Sequence, residues 1–268
     1  MEPPSLAQRY RAEGYVVVPG LITGDDLRAL ERLVDLTLDG KLKPVHAYKG
    51  WLPPEFYTHW EPGYEELAGL PRRDRVRSMA NMYHHHPEWR KVGQHPAICE
   101  VVASLYQQSS SGVQFLNDAV WMKPSGGLGA TLHQDTGFPT IAAASNPNSM
   151  NFWLAIDPAT ELNGCLFVAP GSHRKTLPHD RHPVQGRIMR ASAAASLPPL
   201  VPVELEPGDG YALSNLRYTY HIHPGILSTA SLLETLGFSS TRRSRTCPHR
   251  TAAKGVGEHT PAFTALGR

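Results

Sequence analysis

The sequence predicts a mainly β fold with flanking helices, a double-sheet barrel buttressed on one side, and two observations predict it. Apolar residues recur at helical spacing only in the stretch before Val113, whereas from Val113 to His223 short apolar runs alternate with turn signals. The chain has 268 residues and 41% hydrophobic residues, enough for one domain of moderate size with a real core. We expect that domain to occupy residues 1–225, with its barrel core at about 110–225, and residues 226–268 to form an atypical C-terminal segment.

Each element follows from local chemistry. Leu6 to Glu13 has a short helical pattern, and Gly14 separates it from the β-branched run Tyr15-Val16-Val17-Val18, which Pro19-Gly20 closes. Thr23 supplies an N-cap signal, after which Leu27, Leu30, Leu33, Val34 and Leu38 recur at helical spacing until Gly40 stops the pattern. Lys43 to Gly69 lacks periodicity and reads as a long loop able to cover a pocket. In His84-His85-His86-Pro87 adjacent side chains diverge on any regular element, so a helix-entry loop is favoured over a shared metal ion. Pro87 and Pro96 then open two short helices, the first with Trp89 and Val92, the second with Ile98, Val101, Val102 and Leu105.

Strands take over from Val113. Val113 to Leu116 and Ala119 to Lys123 read as strands, and the link Ser125 to Gly129 lacks the Gly-Lys-Ser/Thr ending of a phosphate loop. Asn151 to Asp157 is a further strand, which Asn163-Gly164 is expected to turn as a hairpin into Cys165 to Ala169. A second pair is expected around Pro207-Gly208-Asp209, joining Val201–Leu205 to the run Gly210–His223.

Composition excludes several classes. No apolar run approaches the roughly 18 residues that span a membrane. A formal charge of +2 argues against a nucleic-acid partner, and the basic run Arg72 to Arg77 is interrupted by Asp74 and reads as a solvated loop or strand entrance. Cys99, Cys165 and Cys247 are too scattered for a zinc site or a secreted disulfide framework, and with no apolar leader at the start a cytoplasmic, reduced setting is expected.

The chemistry concentrates at His133-Gln134-Asp135. Residues two apart on a strand share a face, so His133 and Asp135 can address one metal while Gln134 points elsewhere. With a distant histidine they form the ingredients of a facial triad, whose imidazole and carboxylate donors suit ferrous iron. Tyr220-His221-Ile222-His223 ends an apolar run and offers two such histidines on one strand face.

Gly14-Tyr15-Val16-Val17-Val18-Pro19-Gly20, Lys123-Pro124, His133-Gln134-Asp135, Asn163-Gly164-Cys165-Leu166, Pro170-Gly171-Ser172-His173 and Pro207-Gly208-Asp209 occur in one order that resembles the phytanoyl-CoA dioxygenase family of iron(II)- and 2-oxoglutarate-dependent oxygenases. The resemblance implies a double-stranded β-helix (a cupin-like jelly roll), with Fe(II) at its mouth and 2-oxoglutarate and O2 consumed as a small organic molecule is hydroxylated or otherwise oxidised. It implies metal ligation by His133, Asp135 and His221, with His223 as the alternative distal ligand because His221 lies nearer the family's interval after Asp209. Gln134, Lys123, Trp153 and Arg242 are the candidate cosubstrate contacts, and Tyr83, Gln114, Met122 and Tyr211 candidate pocket members. His173 is expected to be structural. Retention of Asp135 favours hydroxylation over halogenation.

One departure from the family is plain. The arginine that family members carry on the last core strand, as a bidentate partner for the cosubstrate carboxylate, has no counterpart from Pro224 to Glu234, and the first candidates are Arg242, Arg243 and Arg245. The tail to Arg268 is polar and irregular, either disordered or laid over the surface. Two other classes stay open: a metal-dependent hydrolase or isomerase on the same fold, with water as nucleophile, and a catalytically impaired binding protein that has lost its cosubstrate arginine.

Overall fold

The computed structural model describes residues 3–63, 69–110, 113–124, 126–127, 132–134, 149–182, 186–189, 191–214, 218–221 and 231–239. The N-terminal elements are α1 (Leu6–Glu13), β1 (Tyr15–Val18), α2 (Gly24–Leu38), β2 (Tyr57–Trp60), β3 (Val76–Ala80), α3 (Met82–His85), α4 (Pro87–Gly93) and α5 (Pro96–Tyr106). Ser5 caps α1 through a reciprocal pair with Gln8, and Gly14 ends the helix at φ 77°, where its N–H donates to Tyr10 O. α2 buries Leu30, Leu33, Val34 and Leu38 along one face, as its periodicity predicts.

The strands that follow are β4 (Gln114–Phe115), β5 (Ala119–Met122), β6 (His133–Gln134), β7 (Ser149–Ala155), β8 (Leu166–Val168), β9 (His179–His182) and β10 (Gly186–Met189), then, after α6 (Ala191–Ala194), β11 (Val201–Val203), β12 (Gly210–Ser214), β13 (Tyr218–His221) and β14 (Ser231–Ser239). Among the described residues they form a large antiparallel sheet in the order β1-β12-β7-β14-β5-β3-β2, with β4 on β14, and a small one in the order β11-β8-β13-β6, besides the β9–β10 ribbon.

Strand alternation divides the core in two. Val120, Met122, Phe152, Leu154 and Ala212 face the helices and pack with Leu30, Leu33, Trp89 and Val102. Trp153, Ala155, Tyr211 and Leu213, their neighbours in sequence, pack instead with Leu166, Val168 and Val203 of the small sheet. The space between the sheets therefore belongs to the second set.

The Pro-Gly-Asp turn has a structural reason. A Cβ on Gly208 would lie 2.0 Å from Ile22 O, and Gly208 itself has φ 88°. Asp209 accepts from the N–H groups of Gly20 at 2.7 Å and Glu206 at 3.0 Å, locking this turn against the turn that follows β1.

Several expectations change. Asn163-Gly164 and Pro207-Gly208-Asp209 do not close hairpins: β7 and β12 lie in the large sheet while β8 and β11 lie in the small one, so each turn carries the chain between sheets. The run Gly210–His223 is likewise split between β12 and β13. A turn signal specifies a reversal of direction, and either kind of connection satisfies it. The loop expected over Lys43–Gly69 includes the edge strand β2, paired with β3 from Tyr57↔Ala80 to Trp60↔Val76, and Arg72 and Arg75 stand over the Trp60 ring at 5.1 and 5.0 Å.

The large sheet also runs past the core boundary expected at residue 225, since β14 pairs with both β5 and β7. Its apolar residues lack strict alternation, since Leu232 and Leu233 are adjacent and Glu234 takes the next place on Leu232's face, and the pairing register also shifts between Leu236 and Phe238. The expectation for the segment beyond Ser239 lies outside the described residues. Among those described, no helix is long and apolar enough to cross a membrane.

Candidate active site between the sheets

β6 is the edge strand of the small sheet and pairs with β13, with His133 opposite Thr219 and Gln134 opposite Tyr218. On its other side β13 pairs with β8, Thr219 opposite Val168 and His221 opposite Leu166. His221 is thus placed by backbone register one pleat beyond the residue facing His133, a diagonal relation of roughly 7–8 Å within reach of long side chains. Because β13 runs antiparallel to β6, each further residue along it moves away from His133. Asp135, His223 and Arg242 lie outside the described residues.

Gln134 is fully buried and its amide is committed to the protein. Its Nε2 donates to Lys175 O at 2.9 Å and its Oε1 accepts from Leu177 N–H at 3.0 Å, while its backbone N–H donates to His179 Nε2 at 2.9 Å. His179 in turn donates from Nδ1 to Leu177 O at 2.9 Å, the tautomer this network requires. These bonds clamp residues 175–179 over the open edge of β6 and so fix the backbone that carries His133. No local motif marks His179, because its partner is a strand edge far away in the chain.

Trp153 is 4% exposed, lies opposite Tyr211 in the β7–β12 register, and stands 6.5 Å from the Trp121 ring. It lines the space between the sheets, as does Tyr211. Two of the expected pocket members belong elsewhere: Met122 and Tyr83 sit in the helix-side core, Tyr83 stacked on Phe115 at 4.0 Å. The three adjacent histidines have separate partners, His84 Nε2 with Leu116 O, His85 Nδ1 with His46 O, and His86 Nδ1 accepting from Glu88 N–H, although His84 and His85 lie within α3 and not in an entry loop. His173 packs under Gly14 and bonds Arg11 O at 3.1 Å, the structural role expected of it.

Lys123 follows β5 directly and is 5% exposed. It shares strand parity with Trp121, and its ammonium crosses the gap to donate to Gly164 O, just before β8. Burial pushes it down to about 7, an effect that the neighbouring Arg77 reinforces and Cys165 opposes. Burial pushes the Cys165 thiol up to about 11. Asp118, which sequence reasoning missed, is buried behind β5, accepts from Tyr83 N–H through both oxygens, and is pushed up to about 7 by burial.

Among the described residues, two antiparallel sheets with helices against the larger one, and His133 on the edge strand β6 of the smaller, define the class as a two-sheet β protein buttressed by helices. The sequence profile described as phytanoyl-CoA dioxygenase (PhyH) matches residues 10–211, and the chain belongs to that family. Phytanoyl-CoA dioxygenase domain-containing protein 1 of Danio rerio is 23% identical over 189 residues, 62% of this chain and 64% of that protein. Dioxygenase lolE1 of Epichloe uncinata is 36% identical over 97 residues, 36% of this chain and 34% of that one. The match spans less than two thirds of the length of these curated relatives. Among solved structures, the fold is similar to EctD from S. alaskensis with bound Fe (TM-score 0.66, 16% identity, 90% of this chain and 78% of that one). It is also similar to the non-heme alpha ketoglutarate dependent carbocyclase SnoK from nogalamycin biosynthesis (TM-score 0.62, 17% identity, 87% and 83%).

Proposed function

We propose that this chain is an Fe(II)- and 2-oxoglutarate-dependent oxygenase that hydroxylates or otherwise oxidises a small organic molecule. The strand orders of the two sheets support a double-stranded β-helix as its scaffold. The observation that carries the reading is the placement of His133 on β6 beside β13, with Asp135 two residues on and His221 one pleat along the neighbouring strand. The donor set, two imidazoles and a carboxylate, fits Fe(II). EctD has been solved with Fe and, separately, with 2-oxoglutarate, which supports the same pairing here.

When bound, the metal and cosubstrate supply the oxidising power, and the protein supplies orientation and exclusion of water. His133, Asp135 and His221 would hold the metal. Gln134 and His179 hold the β6 backbone in place, and Trp153, Trp121 and Tyr211 wall the space with apolar surface in which a C–H bond can be presented. The test is iron-dependent succinate formation from 2-oxoglutarate by the purified chain. Metal binding with no 2-oxoglutarate consumption would favour a non-oxidative enzyme, and the absence of any arginine or lysine from β14 is what favours a binding protein.

A further inference from the structure

Resting on the reading just given, we propose that the substrate is a flat, fused-ring compound held on an aromatic shelf that Trp51 and Tyr57 form at the β2 edge of the large sheet's inner face. Tyr48 to Trp51 is a miniature hairpin, in which Tyr48 N–H donates to Trp51 O at 2.9 Å and Trp51 N–H to Tyr48 O at 3.1 Å. Its two turn residues, Lys49 at φ 53° and Gly50 at φ 79°, both lie in the left-handed region, as a tight I′ turn requires. Glycine adopts that conformation freely and lysine at a cost, so the turn holds its two ends in place under strain. One end carries Tyr48, whose ring stacks on His84 at 4.2 Å and has the Lys49 ammonium 5.4 Å from its centroid. The other carries Trp51, which meets His85 edge-on at 6.0 Å. Tyr48 thus seats the hairpin on α3, and Trp51 is left 48% exposed beside Tyr57, itself 43% exposed, with ring centroids 5.6 Å apart and planes tilted by 40°.

Strand register joins this shelf to the space between the sheets. Trp121, which packs in the layer between them, lies opposite Ser78, so Ala119 and Ala80 form the next pair on the same face, and Tyr57 lies opposite Ala80. From Ala119 to Tyr57 the floor crosses two strand spacings, about 10 Å, which is the length of three fused rings. Only methyl groups stand on it before Tyr57. No described residue of β2 or β3 belongs to the apolar layer shared with the small sheet, so this part of the face extends past that layer. His59 Nδ1 and Ser78 Oγ, 3.0 Å apart in the adjacent row, give it a polar border. A rigid ring system can lie on such a floor and stack against fixed indole and phenol rings at little entropic cost, whereas a flexible chain gives up its rotamers there and gains no stacking.

The experiment is calorimetric titration of the full chain with anthraquinone-2-sulfonate, a flat three-ring anion, and with 1-octanesulfonate, a flexible chain bearing the same charged group, in wild type, Trp51→Ala and Gly50→Val. We expect Trp51→Ala to weaken the ring compound by about tenfold or more and the chain compound by less than about threefold. Its melting temperature should stay near wild type, because the indole is half exposed. Gly50→Val keeps both rings but denies the turn its left-handed residue, and should weaken the ring compound by about fivefold. Anthraquinone-2-sulfonate should also raise iron-dependent succinate formation by the wild type, because it occupies the substrate's position. Equal weakening of both compounds in Trp51→Ala, undiminished ring affinity in either variant, or ring binding that leaves succinate formation unchanged overturns the shelf and leaves the oxygenase reading standing. A wild type that binds the ring compound through Trp51 and forms no succinate with or without it overturns the oxygenase reading, and with it the ring compound's place as substrate.

Discussion

The two faces of the large sheet are built from the same strands yet differ in kind. The helix-side face presents Phe152, Leu154, Val120 and Met122 to other apolar side chains. The inner face presents Trp153, Tyr211 and Trp121, with Lys123 at its end. Adjacent residues thus divide the labour, one set supplying stability by burial and the next lining a space that tolerates polar groups. A substitution on β7 should reveal its face by what it damages.

The largest effect is expected at the small sheet's edge. On the function proposed above, His133→Ala or Asp135→Ala should abolish iron-dependent turnover while circular dichroism and melting temperature stay near wild type, because both would serve the metal and the hydrogen-bond network at Gln134 holds β6 without them. Turnover surviving in either variant would remove the triad assignment. Next come the two faces of β7. Phe152→Ala, on the helix side, should cost about 3–5 kcal/mol of unfolding free energy, the usual range for emptying a packed aromatic site. Trp153→Phe should cost under about 1.5 kcal/mol and instead alter binding between the sheets. Denaturant melts and titrations of the same two variants measure both, and a reversal of the two outcomes would invert the division of the core.

The distal ligand gives a smaller, graded effect. Since β13 moves away from His133 with each residue, His221→Ala should weaken Mn(II) binding about tenfold or more, as loss of a ligand or its support typically does, and His223→Ala should weaken it less. The opposite order in metal titrations would show that the strand register differs from the one described.

How far the sequence revealed all this depends on the range of the forces involved. α2 was legible because its apolar period and N-cap signal are local, and β1, β5 and β7 because short apolar runs between turn residues are local too. Sheet membership was not, since Asn163-Gly164 specifies a reversal without saying which sheet the next strand joins. β14 escaped because the adjacent Leu232-Leu233 and the charged Glu234 break the alternation. In the site, His133-x-Asp135 stood out by strand spacing, whereas His179 and the inward course of Lys123 depend on partners some forty residues away. Gln134 shows the limit most clearly: its place within His133-Gln134-Asp135 suggested cosubstrate contact, and its amide is spent on residues 175 and 177.

The last expected effect lies on the helix side and is electrostatic. Asp118 is buried, with its pKa raised from 3.8 to about 7 chiefly by burial, against the N–H bonds that lower it. Below pH 4 the carboxyl is protonated in folded and unfolded chains alike and costs nothing. Between about 4 and 7 the unfolded chain releases its proton while the native chain keeps it, so stability falls as pH rises, by at most about 1.4 kcal/mol per pH unit. Above 7 both forms are ionised and the loss is constant. Glu55, lowered by its hydrogen bond to Lys43, works with the opposite sign and is lost as pH falls, so the difference between wild type and Asp118→Asn is the quantity to follow. Asparagine keeps an oxygen for the Tyr83 N–H, and the variant should therefore gain on wild type steadily from pH 4 to 7 and hold that gain above it. Parallel stability curves for the two proteins across this window would show that Asp118 is ionised in the fold throughout, held by its backbone donors in spite of its burial.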